Sequence, residues 1–147
     1  MKNAGYTRQE RSFIALMRIM AVLFLGAAVL FALSPDYIAN YLTSVGNVLL
    51  GWDSASFPAT AGHLWVVPSV AFLIVLSYLS TVVQRNIVRN IGYTRPVIIA
   101  TLTTCAGFTA CFFLGDRHFV YFSAAVANGF ICVVIWRFYH RAQKSRS

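Results

Sequence analysis

Long uninterrupted apolar stretches dominate the chain, from about Phe13 to Leu33, Leu64 to Val83, Val97 to Leu114 and Phe119 to Trp136. A helix crosses a bilayer core with about 20 mostly apolar residues, over a usable range of roughly 17 to 25, and all of these stretches fit. Arg18 is the one formal charge inside them. A helix of a water-soluble bundle carries a polar stripe, and none of these does. The pattern predicts an all-α fold: a single domain over residues 1–147, an integral membrane four-helix bundle with spans at 13–33, 64–83, 97–114 and 119–136.

The segment at 34–63 is the sizeable part outside the membrane. Ser34 can cap a helix, and Pro35 suits the first helical position, where its missing donor costs nothing. Asp36 then places a negative charge in the first turn, where the helix dipole favours it. Apolar side chains recur at Tyr37, Ile38, Tyr41, Leu42, Val45, Val48 and Leu49, opposite Asn40, Thr43, Ser44 and Asn47, until Gly51. This predicts an outer amphipathic interfacial helix. A docking helix for a partner, or a lid over a cavity between the spans, is the alternative. Gly51 to Gly62 reads as a loop returning to the interface.

Composition agrees with this plan. Of the 147 residues, 59% are hydrophobic and 11% charged, against about 25% charged in an ordinary soluble domain. A soluble globular enzyme could not cover its surface, and a disordered chain would need low hydrophobicity. The net charge of +8 is distributed by topology. Lys2, Arg8 and Arg11 precede the first span; Arg85, Arg89 and Arg95 separate the second from the third; Arg137, Arg141, Lys144 and Arg146 follow the fourth. The other two connections hold Arg117 against Asp36, Asp53 and Asp116. Basic residues accumulate on the cytoplasmic side, so both termini are expected there, drawn also to anionic lipid heads. No basic run is interleaved with stacking aromatics, so nucleic acid is not an expected partner. The first stretch is longer than the roughly 7–15-residue core of a signal peptide, and the chain has no Asn-x-Ser/Thr sequon. A multi-pass protein of the bacterial inner (cytoplasmic) membrane is the resulting expectation.

Candidate chemistry inside the spans is sparse. The third span carries Ala100, Thr104, Gly107 and Cys111 at helical spacing, with Thr103 beside them, and the fourth carries Ser123, Ala124, Ala127, Asn128 and Cys132. Small residues let membrane helices approach closely, and the short Gly115–His118 connection makes these spans antiparallel neighbours. Asn128 is expected to bond Thr103 or Thr104 across the pair, with Gly107 in the packed seam; a ligand or quinone contact is the alternative for Asn128. Arg18 lies close enough to the edge to snorkel, or to meet an anionic lipid or quinone head. Ser77, Tyr78, Ser80 and Thr81 give the second span a hydroxylated half that could line a small cavity, with Tyr78 a ligand contact. His63 and His118 open the second and fourth spans. Paired imidazoles hold b-type haem in membrane cytochromes, but here both stand at the interface, where plain interfacial histidines are the simpler reading. No metal site is expected. Cys105, Cys111 and Cys132 form no C-x-x-C pair, and their expected role is packing. The spans hold no Asp, Glu or Lys, and the chain has no H-E-x-x-H, G-x-S-x-G or Walker loop.

Met17-Arg18 followed by Phe24-Leu25-Gly26, within a four-span plan, resembles the DoxX-type group of small bacterial membrane proteins. The resemblance implies the same four-helix topology and, for some members of that group, association with quinone-linked oxidoreductases. Three functions follow as expectations. The first is a non-catalytic subunit that anchors or stabilises a larger membrane assembly, with other subunits or copies of itself as partners. The second is a quinone- or haem-binding redox module. The third is a small oligomeric transporter or lipid-binding protein.

Overall fold

A computed structural model describes residues 5–51, 62–114 and 118–144, and all of its regular structure is helical. The order is α1 (Arg8–Leu33), α2 (Pro35–Leu50), α3 (Gly62–Arg85), the single turn α4 (Ile87–Asn90), a 3-10 turn (Ile91–Tyr93), α5 (Thr94–Leu114) and α6 (Phe119–Lys144). Four helices are long and apolar enough to cross a membrane. At 1.5 Å per residue, the 26 residues of α1 reach about 39 Å, more than a hydrocarbon core of about 30 Å. α6 runs two turns past Trp136, so the basic segment that follows it is helical to Lys144. α3 continues through Pro68 without a break. The loop expected at Gly51–Gly62 lies, apart from its two end residues, outside the described residues.

Each terminus has a local cause. Thr7 and Glu10 form a reciprocal capping box at the start of α1: the Thr7 hydroxyl accepts from the Glu10 amide at 3.2 Å, and the Glu10 carboxylate accepts from the Thr7 amide at 2.8 Å. Ser34 ends α1 by donating its amide to the Leu30 carbonyl at 3.0 Å, and α2 starts at the next residue. Its hydroxyl makes no capping bond, contrary to the role expected of it, because the residue is shared between two helix ends. α2 stops at Gly51, whose φ of 62° lies in the left-handed region that glycine enters without strain.

α1 packs chiefly against α3, and α5 chiefly against α6, with narrower seams joining α1 to α6 and α3 to α5. The core gathers toward the end where α1 begins and α6 finishes. Phe13, Met17, Val83, Ile87, Val97, Ile135 and Tyr139 form one buried cluster there. Across α1 and α3, the buried Ser77 hydroxyl donates to the Ala21 carbonyl at 2.8 Å. Toward the opposite end, burial thins: no described residue of α5 beyond Thr101 is fully buried.

At that thinner end α2 leans on α6. A Cβ on Gly46 would come within 2.5 Å of Phe119 Cβ and Cγ, so the missing side chain is what lets the two helices touch. Thr43 and Gly46 face the bundle, while Tyr37, Tyr41 and Val48 point outward. A helix is present over the expected span. It docks by a mixed side, with Thr43 and Gly46 buried, Ile38, Leu42 and Val45 half-buried, and Asn40, Ser44 and Asn47 exposed, because the close approach to Phe119 admits Gly46 and leaves the tyrosines outside the seam. Gly46→Ala should release α2 from α6, and Phe119→Gly added to it, which removes both the Cβ and the ring that the new methyl meets, should restore docking. Cysteine cross-linking between α2 and α6 measures both, with loss of the cross-link in the single variant and recovery in the double as the expected pair.

Candidate functional site

The rotational setting of α5 decides what this molecule presents to its surroundings. Thr94, Val97 and Thr101 are buried against the bundle, and Thr104, Cys105 and Phe108 continue that side half-buried. The opposite side carries Ile99, Thr103, Ala106, Gly107 and Ala110, all exposed. These residues recur every three or four positions, so they form one continuous strip. A Cβ placed on Gly107 would meet nothing within 4 Å. Gly107 and Thr103, expected in the seam with α6, therefore face away from it.

The seam itself is built from other residues. On α6 the inward strip is Ala125, Gly129 and Cys132, and a Cβ on Gly129 would stand 3.2 Å from the Cys105 sulfur. The Cys132 thiol points at the Ile98 carbonyl, 3.8 Å away. Farther out, Phe108 stacks on Tyr121 at 6.2 Å between centroids, and Phe112 tilts against Phe122 at 5.8 Å. Asn128 donates to the Ala124 carbonyl one turn back at 2.8 Å, and Thr104 donates to the Ala100 carbonyl at 2.8 Å. The bond expected between them is replaced by one within each helix. The i−4 carbonyl lies at contact distance from the start and satisfies the polar group without any cross-helix alignment. Cys111, expected to pack, is exposed.

Beside the exposed strip, a half-open groove of about 330 Å³ runs between α5 and α6. Cys105, Thr109, Phe112, Phe122, Gly129 and Phe130 are among its walls. The Thr109 hydroxyl is spent on the Cys105 carbonyl at 2.8 Å, so the groove offers an apolar lining with little free hydrogen-bonding capacity. Strip and groove together make a surface of shape rather than of charge.

The remaining candidates are scattered. Tyr78 is 67% exposed, while its neighbours Ser77 and Ser80 occupy the side of α3 that faces the bundle. Arg18 is exposed on α1. His118 is buried, with its ring 6.0 Å from that of Tyr121 in an edge-on contact. His63 lies in the first turn of α3, and its side chain is outside the described residues. No group of three or more His, Cys, Asp or Glu capable of holding a metal ion occurs among the described residues.

A polar lock that the sequence reading missed joins the other end of the same helix pair. The buried Tyr139 hydroxyl accepts from Arg95 Nε at 3.0 Å and from Gln143 Nε2 at 2.7 Å, tying the start of α5 to the end of α6. A tyrosine inside a basic run is its only sequence signal. Ser80 and Thr94 bury hydroxyls that have no hydrogen-bond partner among the described residues. Comparisons with protein-family models, with curated proteins and with solved structures give no match to this chain.

The local bonds of Asn128 and Thr104 make a definite energetic statement. In a double-mutant cycle, Asn128→Leu and Thr104→Val should be additive within about 0.5 kcal/mol. Tyr139→Phe, which removes the acceptor shared by Arg95 and Gln143, should cost more, about 1.5–3 kcal/mol for a bond to a charged group. Reversible unfolding in mixed micelles measures all of these.

Proposed function

We propose that this chain is a multi-pass subunit of the bacterial cytoplasmic membrane, with no catalytic role of its own, that holds a larger membrane assembly together through the outer strip of α5. Its partner on that strip is an apolar helix of another subunit or of a second copy. Both termini face the cytoplasm in this reading, which rests on the basic residues flanking the spans.

The observation that supports the role is the exposure of Thr103, Ala106, Gly107 and Ala110 on one side of α5. Glycine within a helix costs about 0.5–1 kcal/mol relative to alanine. At Gly46 and Gly129 the chain itself uses the space that glycine leaves. At Gly107 no described residue does, so the close approach it permits is available to another molecule. Small residues are what membrane helices use for such approach, since lipid tails offer no hydrophobic reason to associate. Gly26 on α1 also meets nothing within 4 Å, but exposed Val22, Leu23, Leu25 and Leu30 surround it and block a helix from closing in. The groove beside the α5 strip adds room for the larger side chains of the partner.

Gly107→Leu and Ala110→Leu together should convert the complex recovered in mild detergent to the free chain. Unfolding stability of the isolated chain should stay within about 0.5 kcal/mol, as for exposed sites away from packing. Gly26→Leu should leave the complex intact. A wild-type chain recovered only as a monomer, or a complex indifferent to the α5 pair, would refute the proposal. The orientation has its own test: an impermeant thiol reagent outside intact cells should label a cysteine at position 47 and spare one at position 145, and the opposite pattern reverses the topology.

A further inference from the structure

A second feature, independent of the α5 strip, lies where α1 begins and α6 ends. Between the two helices is a cavity of about 280 Å³ lined by Arg8, Gln9, Ser12, Phe138 and Arg141. Arg8 and Arg141 come from opposite ends of the sequence and converge on one space. Both are exposed, and neither forms an ion pair with another described residue. The Ser12 hydroxyl donates to the Arg8 carbonyl at 3.1 Å, which keeps the first turns of α1 in register beside the cavity. Arg137 sits one turn before Arg141 on the same side of α6. Glu10 is turned the other way: it is buried, and its carboxylate accepts the Thr7 amide in the capping box. The other acid among the described residues, Asp36, lies in the first turn of α2, past the opposite end of α1.

Depth identifies the kind of anion that this cavity meets. Arg8 precedes Phe13, where the apolar stretch of α1 starts, by five residues, and Arg141 follows Trp136 by five. At 1.5 Å per residue each guanidinium-bearing Cα stands about 7.5 Å beyond the hydrocarbon edge. A bilayer of about 40–45 Å with a 30 Å core has headgroup layers of roughly 5–7.5 Å on each side. The arginines are therefore at the depth of lipid phosphates, with Phe138 about 3 Å beyond the hydrocarbon edge, between Arg141 and the acyl chains. Arginine forks match phosphate oxygens with paired charge-assisted bonds, and the Gln9 amide adds a neutral donor. The volume is slightly under that of an ordinary small-molecule pocket, about 300–1,000 Å³, and suits a headgroup whose chains remain in the bilayer.

We infer that this cavity seats the phosphate head of one anionic glycerophospholipid, clamped between Arg8 of α1 and Arg141 of α6. A bound lipid there bridges the first and last spans, which share only a narrow seam.

The test uses the full chain, purified in mild detergent and stripped of lipid, then titrated with phosphatidylglycerol, with phosphatidylcholine and with inorganic phosphate. Native mass spectrometry counts retained lipid, and thermal unfolding reports stabilisation. Phosphatidylglycerol should be retained and should raise the melting temperature, phosphatidylcholine should do neither, and inorganic phosphate should stabilise far less. Arg8→Gln with Arg141→Gln should weaken phosphatidylglycerol retention by about thirtyfold or more, since two charge-assisted contacts are lost. Arg85→Gln with Arg89→Gln removes equal charge from the same end of the bundle and should leave retention near the parent value. If the double variant fails to fold, Arg141→Lys keeps the charge, loses the fork and should give a partial loss. Equal losses from both arginine pairs would reduce the site to diffuse attraction and overturn the proposal. So would equal retention of phosphatidylcholine, an unchanged Arg141→Lys variant, or stabilisation by inorganic phosphate that matches the lipid.

Discussion

Among lipid tails an apolar side chain gains nothing by moving from lipid to protein, so helices of this composition stay together only through close fit and through hydrogen bonds between them. Everything distinctive in the molecule answers to that constraint. Ser77 reaches the Ala21 carbonyl and ties α1 to α3. Tyr139 gathers Arg95 and Gln143 and ties α5 to α6. Gly129 against Cys105 and Gly46 against Phe119 supply the close fit where no hydrogen bond does. The Tyr139 tie sits at the end where the chain is basic, and the buried cluster of Phe13, Met17, Val97, Ile135 and Tyr139 sits with it.

A bundle tightened at one end leaves its other end loosely filled. That is why the outer half of α5 buries nothing completely and a 330 Å³ groove opens beside it. The same asymmetry underlies the two contacts we propose: lipid phosphate at the arginines of the basic end, and another helix along the exposed strip of α5.

What was legible in the sequence was whatever length and end chemistry control. The four long apolar helices, the antiparallel pairing of α5 with α6, the helix over 35–50 and its stop at Gly51 all appear where hydrophobic runs and turn residues placed them. What was illegible was rotation about each helix axis. A span apolar all round has no polar side to mark its exposed face, so Gly107 and Gly129 look alike in the sequence while one faces out and the other meets Cys105. Asn128 was misread for a related reason: an amide in an apolar run asks for a partner, and its own helix supplied the Ala124 carbonyl first. Tyr139 was missed because a basic run after an apolar stretch reads as a tail, whereas two further turns of α6 carry it into the core.

The central claim, that the outer strip of α5 is a protein contact, is tested most directly by photo-cross-linking in intact membranes. A photoreactive side chain is placed in turn at Ile99, Thr103, Ala106, Gly107 and Ala110, at the inward Thr101 and Thr104, and at the exposed Val22 of α1. The account predicts discrete protein adducts from the outer positions, falling at the inward ones with the helical period, and lipid adducts alone from Val22. Protein adducts of equal yield all round α5, or lipid adducts alone from its outer strip, would contradict it.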